Sequence, residues 1–174
     1  VIKILINSCY GYMGNKNAPI GDDDIAASVT LTGQAVIKYS NELLKDFMRD
    51  EVGTDKISEH QLEECIVYND TDSSYISMTP LIENGVKFWE SKEDALVHQE
   101  TYDKIQEIED YLNEGITSWA KKALLTHDPR FVFKREMIAD VATFLQKKRY
   151  VMHILDDEGI KENKFKYTGV EVVR

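Results

Sequence analysis

Tyr68-Asn69-Asp70-Thr71-Asp72-Ser73 connects two strand-like runs, 65–68 and 74–78. Asn, Asp and Ser favour turns, so this stretch predicts a β-hairpin with acids at its tip. Because residues i and i+2 of an extended segment point to the same side, Asp70 and Asp72 can present both carboxylates to one point. Hard oxygen ligands of this kind suit Mg²⁺. Taken alone, the spacing favours a simpler interpretation, an acidic turn in which Asp70 only binds local backbone amides.

Helical patterns precede the hairpin. The spacing of apolar residues predicts a long helix over about 25–50, with Asp22-Asp23-Asp24 supplying its N-cap and first-turn acids. Residues 1–14 are typical of the end of another helix, and residues 51–61 of a polar connection.

The pattern changes after the hairpin from helix to strand. Residues 92–125 predict one or two charged helices, and 156–159 predict a turn. Four strands are predicted, at 131–135, 141–145, 149–155 and 164–174. The order of elements predicts an α+β fold, in which an antiparallel sheet carries the carboxylate hairpin and packs on long helices.

Composition limits the classes of protein that the chain can belong to. The 174 residues are 43% hydrophobic and 30% charged, which fits a globular domain and argues against disorder. No apolar run is long enough to cross a membrane, so we expect a cytoplasmic protein without a membrane partner. Cys9 and Cys65 predict buried thiols in a reducing compartment. The formal charge of −10 indicates that positive charge for any nucleic acid is local or comes from other parts of a larger assembly.

The hexapeptide closely resembles Tyr-Gly-Asp-Thr-Asp-Ser, which is motif C of the family B DNA polymerases. Asn69 stands where the family usually has Gly. Asn is the residue other than Gly that best tolerates left-handed backbone angles, so the turn can survive. The resemblance implies that Asp70 and Asp72 are catalytic carboxylates that bind two Mg²⁺ ions, with Asp72 as the bridge between them.

Lys3, Asn7 and Tyr10 lie in a second pattern, Lys-x-x-x-Asn-Ser-x-Tyr-Gly, which resembles motif B of the same family. In a helix these three positions share one face. The resemblance implies that Lys3 and Asn7 bind the triphosphate of the incoming nucleotide and that Tyr10 lies under the nascent base pair. An isolated lysine of this kind would more simply be a solvated charge.

Lys147-Lys148-Arg149-Tyr150 resembles the basic motif with which this family binds the primer end. On a strand, Lys148 and Tyr150 would share one face, and Lys147 and Arg149 the other. We therefore expect Lys148 and Tyr150 to contact DNA and Arg149 to pair with an acid of the same domain. The alternative is a solvated basic run at the start of a strand.

Two further segments resemble the phage branch of the family. Lys134-Arg135-Glu136, followed by Ile138-Ala139, resembles the strand that brings a third acid near the metals. Glu136 is therefore either a supporting catalytic acid or part of a structural salt bridge. The end of the chain, from Lys166 through Gly169 to Arg174, resembles the junction between palm and thumb.

These resemblances together imply a DNA-directed DNA polymerase. We expect residues 1–14 to end a fingers helix, 15–168 to form the palm and 169–174 to begin the thumb junction. The implied partners are primer–template DNA, deoxynucleoside triphosphates and the remaining polymerase segments: exonuclease, motif A and thumb. Because the start looks like the middle of a helix and the motif A acid is missing, we expect a fragment that is inactive alone. If the source is viral, the compartment is the host cytoplasm.

Other interpretations remain open at this stage. The chain could be one subunit of a split polymerase, or a binding module that keeps DNA or nucleotide contacts without catalysis. An unrelated metal-dependent phosphotransferase would leave the lysine motifs unexplained. Gly21-Asp22-Asp23 imitates the Gly-Asp-Asp of viral RNA polymerases, but it precedes a helix, where acids act as caps.

Overall fold

Two helices open the computed structural model, which describes residues 2–15, 17–19, 21–70 and 72–171, without the side chains of Ile2, Lys3 and Ile6. Helix α1 spans Ile2–Met13 and α2 spans Asp23–Val52. Asp22 caps α2, because its carboxylate accepts hydrogen bonds from the backbone N–H groups of Asp24 at 2.9 Å and Ile25 at 3.2 Å. The predicted capping role of this acidic run is confirmed.

Helix α3, Glu59–Glu64, lies partly in the segment predicted as a polar connection. That prediction was wrong for residues 59–61, which begin α3, and for residues 51 and 52, which end α2. The helix is too short to show apolar periodicity, and Leu62 is its buried residue. Its start did carry a local signal: Ser58 and Gln61 form a capping box, in which each side chain binds the backbone of the other.

Helix α5, Gln99–Ala123, packs against α2 and completes the main core. Its start is later than the predicted 92, because a small hairpin of β3, Trp89–Ser91, and β4, Leu96–Val97, precedes it. Helix α4, Thr79–Glu83, closes one side of this core through the buried Leu81. The buried apolar side chains of the core include Leu44, Phe47, Met48, Leu62, Ile108, Leu112 and Ile116.

The predicted hairpin is confirmed. Strand β1, Ile66–Asp70, pairs antiparallel with β2, Ser73–Ile76, and the register places Tyr68 opposite Tyr75 and Asp70 opposite Ser73.

A second sheet has three antiparallel strands: β5, Met137–Gln146; β6, Arg149–Asp157; and β7, Ile160–Thr168. Glu158 and Gly159 form the predicted turn between β6 and β7, and both have positive φ, 52° and 90°. Two-residue hairpin turns of this kind require positive φ at both positions. The last strand was predicted to continue to residue 174, but it ends at Thr168 and residues 169–171 are not in a strand. Residues 172–174 lie outside the described residues.

The predicted strand at 131–135 is absent from this described segment. A helix side chain takes the place of a neighbouring strand: Asn113 of α5 accepts from the N–H of Phe133 at 2.7 Å and donates to its carbonyl at 2.9 Å. The N–H of Arg135 likewise donates to the Glu109 carboxylate at 2.9 Å. The strand-like composition of residues 131–135 therefore did not lead to pairing with another strand.

The α+β class is confirmed by this mixture of helices and small antiparallel sheets. Among the described residues, every helix is too short or too polar to span a membrane.

Candidate metal and nucleic-acid site

The tip of the first hairpin is a tight turn between Asp70 and Ser73. The N–H of Asp72 donates to the carbonyl of Asp70 at 2.6 Å, and the Ser73 hydroxyl donates to the same carbonyl at 3.2 Å. Asp70 is half-buried at the end of β1, whereas Asp72 is exposed. Because Asp72 lies in the turn and not in a strand, strand alternation does not determine the direction of its side chain. Both acids nevertheless lie at the same end of the hairpin, two positions apart in sequence.

Asn69 occupies a regular strand position. It pairs with Ser74, whose hydroxyl donates to the Asn69 side-chain oxygen at 2.7 Å. Its φ is not positive. The tolerance of Asn for left-handed angles is therefore not needed here, and the side chain instead adds a cross-strand hydrogen bond next to the acids.

Four aromatic rings pack behind the tip and join the hairpin to the second sheet: Tyr68, Tyr75, Phe144 and Tyr150, here called the aromatic cluster. The ring centroids of Tyr68 and Phe144 are 5.2 Å apart, and those of Tyr75 and Tyr150 are 5.6 Å apart. The hydroxyls of Tyr75 and Tyr150 are hydrogen-bonded at 2.9 Å. Burial, and then the hydrogen bond to Tyr150, raises the pKa of Tyr75, so its phenol stays protonated.

Lys147 and Lys148 form the two-residue turn between β5 and β6, here called the lysine turn. The strand begins at Arg149, as predicted, so the alternation of faces expected along the basic motif does not apply to Lys147 and Lys148. Both lysines are exposed, and Lys148 has a φ of 61°. Its N–H donates to the hydroxyl of Tyr68 at 2.9 Å, so the lysine turn touches the carboxylate hairpin.

The other two residues of the basic motif have different surroundings. Tyr150 is 7% exposed, with its ring in the aromatic cluster, so it does not share an open face with Lys148. Arg149 is exposed, and its guanidinium donates to the Gln146 side-chain oxygen at 3.0 and 3.1 Å when that amide is oriented to accept. Gln146 therefore takes the place of the acid predicted as the partner of Arg149.

Glu136 immediately precedes β5. Its carbonyl accepts from the N–H of Glu158 at 2.6 Å, at the end of the sheet opposite the lysine turn. A ten-residue strand is roughly 30 Å long. Within the described ranges, no three His, Cys, Asp or Glu side chains form a possible metal site, so Glu136 does not complete one with Asp70 and Asp72.

The salt bridge in this segment is formed by Arg135, the residue before Glu136. Arg135 pairs with Asp156, which is 1% exposed. Asp156 also accepts from the Tyr102 hydroxyl at 3.1 Å and from the N–H of Gly159 at 2.9 Å.

The predicted nucleotide-binding residues lie on α1. Asn7 and Tyr10 are exposed, and the Tyr10 hydroxyl is 2.7 Å from the hydroxyl of Thr30 on α2. The side chain of Lys3 lies outside the described residues.

The two cysteines differ from each other. Cys65 is buried as predicted, and burial raises the pKa of its thiol. Cys9 is exposed on α1, so the prediction that it is buried was wrong.

The carboxylates at the tip are ligands of the type that Mg²⁺ prefers, and they would supply part of its coordination sphere. This ion is usually bound by one or two carboxylates together with waters and substrate phosphates. Asp70 and Asp72 provide that number of carboxylates, and the lysine turn that contacts this hairpin carries two exposed lysines that can attract phosphate.

Fold and site therefore describe an α+β protein that holds two acids on one hairpin and two lysines on another hairpin packed against it. The sequence model of DNA polymerase family B matches residues 1–122. The chain belongs to this family.

Individual relatives extend the match over nearly the whole chain. It is 28% identical over 183 residues to the DNA-directed DNA polymerase of Escherichia phage RB69, covering 97% of this chain and 19% of that protein. It is 26% identical over 185 residues to the DNA-directed DNA polymerase of Enterobacteria phage T4, with coverages of 97% and 19%. It is 27% identical over 173 residues to the DNA polymerase of Trichoplusia ni ascovirus 2c, with coverages of 99% and 13%. The chain thus spans about a fifth or less of the length of these curated relatives.

Sequence reasoning missed the aromatic cluster. A signal was present, since Tyr68 and Tyr75 flank the acid tip on the two strands of the hairpin. Their partners Phe144 and Tyr150 lie far along the chain, where no local pattern indicates the contact.

Proposed function

We propose that this chain forms part of the palm of a DNA-directed DNA polymerase, an enzyme that adds deoxynucleotides to a primer. The enzyme would act in the cytoplasm, which is the host cytoplasm if the source is viral. In this assignment residues 1–14 end a fingers helix, 15–168 are palm and 169–174 begin the thumb junction. The observation that carries the proposal is the contact of the acid-bearing hairpin with the lysine turn through Tyr68 and Lys148. This contact supports the proposal, because it joins the hairpin that bears the two acids to the turn that bears the two lysines. Family membership and the names of the phage relatives support the same reaction.

The acids would bind metal together with the substrate. The chemistry that two bound Mg²⁺ ions supply to such a transfer is activation of the primer hydroxyl and stabilisation of the leaving pyrophosphate. Asp70 and Asp72 would hold these ions, with Asp72 as the leading ligand. Glu136 is retained as a supporting acid for the complete enzyme only, because the described residues do not bring it to the pair.

The cationic and polar residues would bind substrate. Lys3 and Asn7 would contact the triphosphate, where charge develops in the transition state, and Tyr10 would lie under the new base pair. Lys147 and Lys148 would contact the phosphates of primer–template DNA, with Arg149 and Tyr150 supporting the turn that carries them.

Metal binding by the tip is tested with Mn²⁺, whose free form is counted by electron paramagnetic resonance. We expect weak binding that falls about tenfold or more, 1.4 kcal/mol, in Asp72→Asn. Asp24→Asn is the matched control, because this acid also lies in a short acidic run but at a helix N-terminus. Equal affinities of the wild type and Asp72→Asn would contradict a metal site at the tip.

The polymerase assignment is tested by primer extension. The 174-residue chain alone should not extend a primer, because two carboxylates without the motif A acid form a weak metal site. Co-expression with a segment that carries the exonuclease and motif A should give a complex that extends a primer and loses this activity in Asp72→Asn. A stable complex that never extends a primer would contradict the proposal.

A non-catalytic nucleic-acid-binding module is the second candidate. It is favoured by the lack of a three-acid metal site within the described part of the chain. Salt-dependent DNA binding that persists in the double variant Asp70→Ala/Asp72→Ala, together with no measurable Mn²⁺ binding by the wild type, would support this candidate over the polymerase.

A further inference from the structure

Lys148 adopts a conformation that its neighbours must stabilise. A φ of 61° is left-handed, a region that residues other than glycine rarely adopt because Cβ crowds the following carbonyl oxygen. Such conformations persist where surrounding contacts determine them. The contacts around this peptide therefore govern the shape of the lysine turn.

Tyr68 supplies a contact from one side. Its hydroxyl accepts the hydrogen bond from the Lys148 N–H at 2.9 Å, across 80 residues of sequence. The ring has little freedom to move, since its centroid is 5.2 Å from that of Phe144, 5.6 Å from that of Tyr75 and 6.2 Å from that of Tyr150. The acceptor is consequently presented at a defined place.

Gly169 supplies a contact from the other side. A Cβ built at this position would be 2.3 Å from the Lys148 carbonyl oxygen and 3.2 Å from Cγ of Arg149. The chain after β7 thus passes directly against the peptide that follows the lysine turn, and a larger residue would displace it. Lys148 is held by a hydrogen bond at its N–H and by close packing at its carbonyl.

Tyr68 also belongs to the acid-bearing hairpin. It lies on β1, two residues before Asp70. The same side chain that fixes the lysine turn is therefore connected through a short, paired strand to the carboxylates. A movement of one hairpin relative to the other would break this hydrogen bond.

We propose that Tyr68 is a positioning residue, whose hydroxyl sets the conformation of the lysine turn and so aligns Lys147 and Lys148 with DNA phosphates relative to the acids at the tip. This inference rests on the proposed function, because it assumes that the lysine turn contacts DNA.

The test measures binding of a fluorescent primer–template duplex by anisotropy over a range of salt concentrations. Tyr68→Phe keeps the ring and removes the acceptor. We expect binding to weaken about threefold to tenfold and the slope of log affinity against log salt to become shallower by about 1, the value for one lost phosphate contact. Tyr75→Phe is the matched control: it removes the other tyrosine hydroxyl of the hairpin, which binds Tyr150 and not the lysine turn, and should leave affinity and slope unchanged.

A second pair of measurements separates this inference from the proposed function. If the double variant Lys147→Ala/Lys148→Ala binds DNA like the wild type, the DNA contact itself is refuted. If that variant binds weakly and Tyr68→Phe binds like the wild type, only the positioning role is refuted.

Amide hydrogen exchange gives a readout without DNA. Exchange at the Lys148 N–H should accelerate in Tyr68→Phe and not in Tyr75→Phe, and equal rates in wild type and Tyr68→Phe would overturn the inference. Gly169→Ala provides an independent route to the same effect, because it displaces the Lys148 carbonyl while the Tyr68 hydroxyl remains. Gly169→Ala should also make the slope of log DNA affinity against log salt shallower. An unchanged slope would contradict the inference that the conformation of the lysine turn governs DNA binding.

Discussion

Gly115 of α5 lies directly against Leu43 of α2, so that a Cβ at position 115 would be 2.5 Å from Cδ1 and 2.9 Å from Cδ2 of that leucine. Leu43 is 9% exposed and has little room to move. The absence of a side chain at 115 therefore allows the two longest helices to approach each other. This close contact supports the main core under the carboxylate hairpin.

Gly115→Ala should destabilise the protein by about 1–3 kcal/mol through overpacking, partly offset by about 1 kcal/mol of better helix propensity. Gly33→Ala in α2 is the control, since nothing lies within 4 Å of its added Cβ. It should stabilise the protein by about 0.5–1 kcal/mol. Urea unfolding curves measure both changes, and a stabilised Gly115→Ala would show that the helices separate easily.

Asp156→Asn should destabilise the protein by about 3 kcal/mol or more. Asp156 is buried, and removing its charge leaves the partly buried guanidinium of Arg135 without its counter-ion. Asp128→Asn is the control, because its ion pair with Arg130 is largely exposed, 76% and 87% at the two side chains. It should change stability by less than about 1 kcal/mol. Similar free energies of unfolding for the two variants would contradict a structural role for the buried pair.

His153 should make the stability of the three-stranded sheet depend on pH. Its Nε2 is 2.8 Å from the side-chain oxygen of Asn163 on β7, and its Nδ1 is 2.7 Å from the Asp140 carboxylate on β5. These two contacts, Asn163 first, raise its pKa above the ordinary value, because both favour a protonated ring.

A raised pKa in the folded state means that the contribution of His153 is fully present below the unfolded pKa of about 6.5 and is lost as pH rises through the folded value. Between about pH 6 and pH 8 the melting temperature should therefore fall, and this component should disappear in His153→Gln. His60→Gln, at an exposed site on α3, should retain it. If the melting temperature falls equally in His153→Gln and in the wild type over this pH range, a group other than His153 causes the change.

Lys148→Gly should separate stability from DNA binding. Glycine adopts a φ of 61° without the cost that lysine pays, so the free energy of unfolding should rise by about 1 kcal/mol while DNA affinity falls. Lys147→Gly, whose φ is not positive, should lower both quantities. Thermal unfolding and anisotropy on the two variants check this. Destabilisation by Lys148→Gly would mean that the turn is not strained.

Local patterns predicted several elements correctly because each depends on neighbours in sequence. The cap at Asp22, the hairpin around Asp70 and the turn at Glu158 and Gly159 all arise from side-chain chemistry or backbone preference within a few residues. The periodicity of α2 and α5 works in the same way, since it records which face of a helix will be buried.

The wrong predictions have a different cause, because each depends on strand pairing that the local composition does not determine. Residues 131–135 have no neighbouring strand in the described chain, and Asn113, 20 residues earlier, instead satisfies the backbone of Phe133. The alternation of faces expected along the basic run fails at its first two residues, because the pairing of Gln146 with Arg149 leaves Lys147 and Lys148 in a turn between the strands. Strand composition does not specify the pairing partner.

The residues able to bind metal and phosphate, Asp70, Asp72, Lys147 and Lys148, could be named from the chain alone, because their chemistry and spacing are local properties. Their arrangement in space could not. The hydrogen bond from Lys148 to Tyr68 joins positions 80 residues apart, and the burial of Tyr150 depends on rings from three strands. Only tertiary packing decided that the acid-bearing hairpin and the lysine turn are in contact, because contacts between distant segments form only when the whole core has assembled.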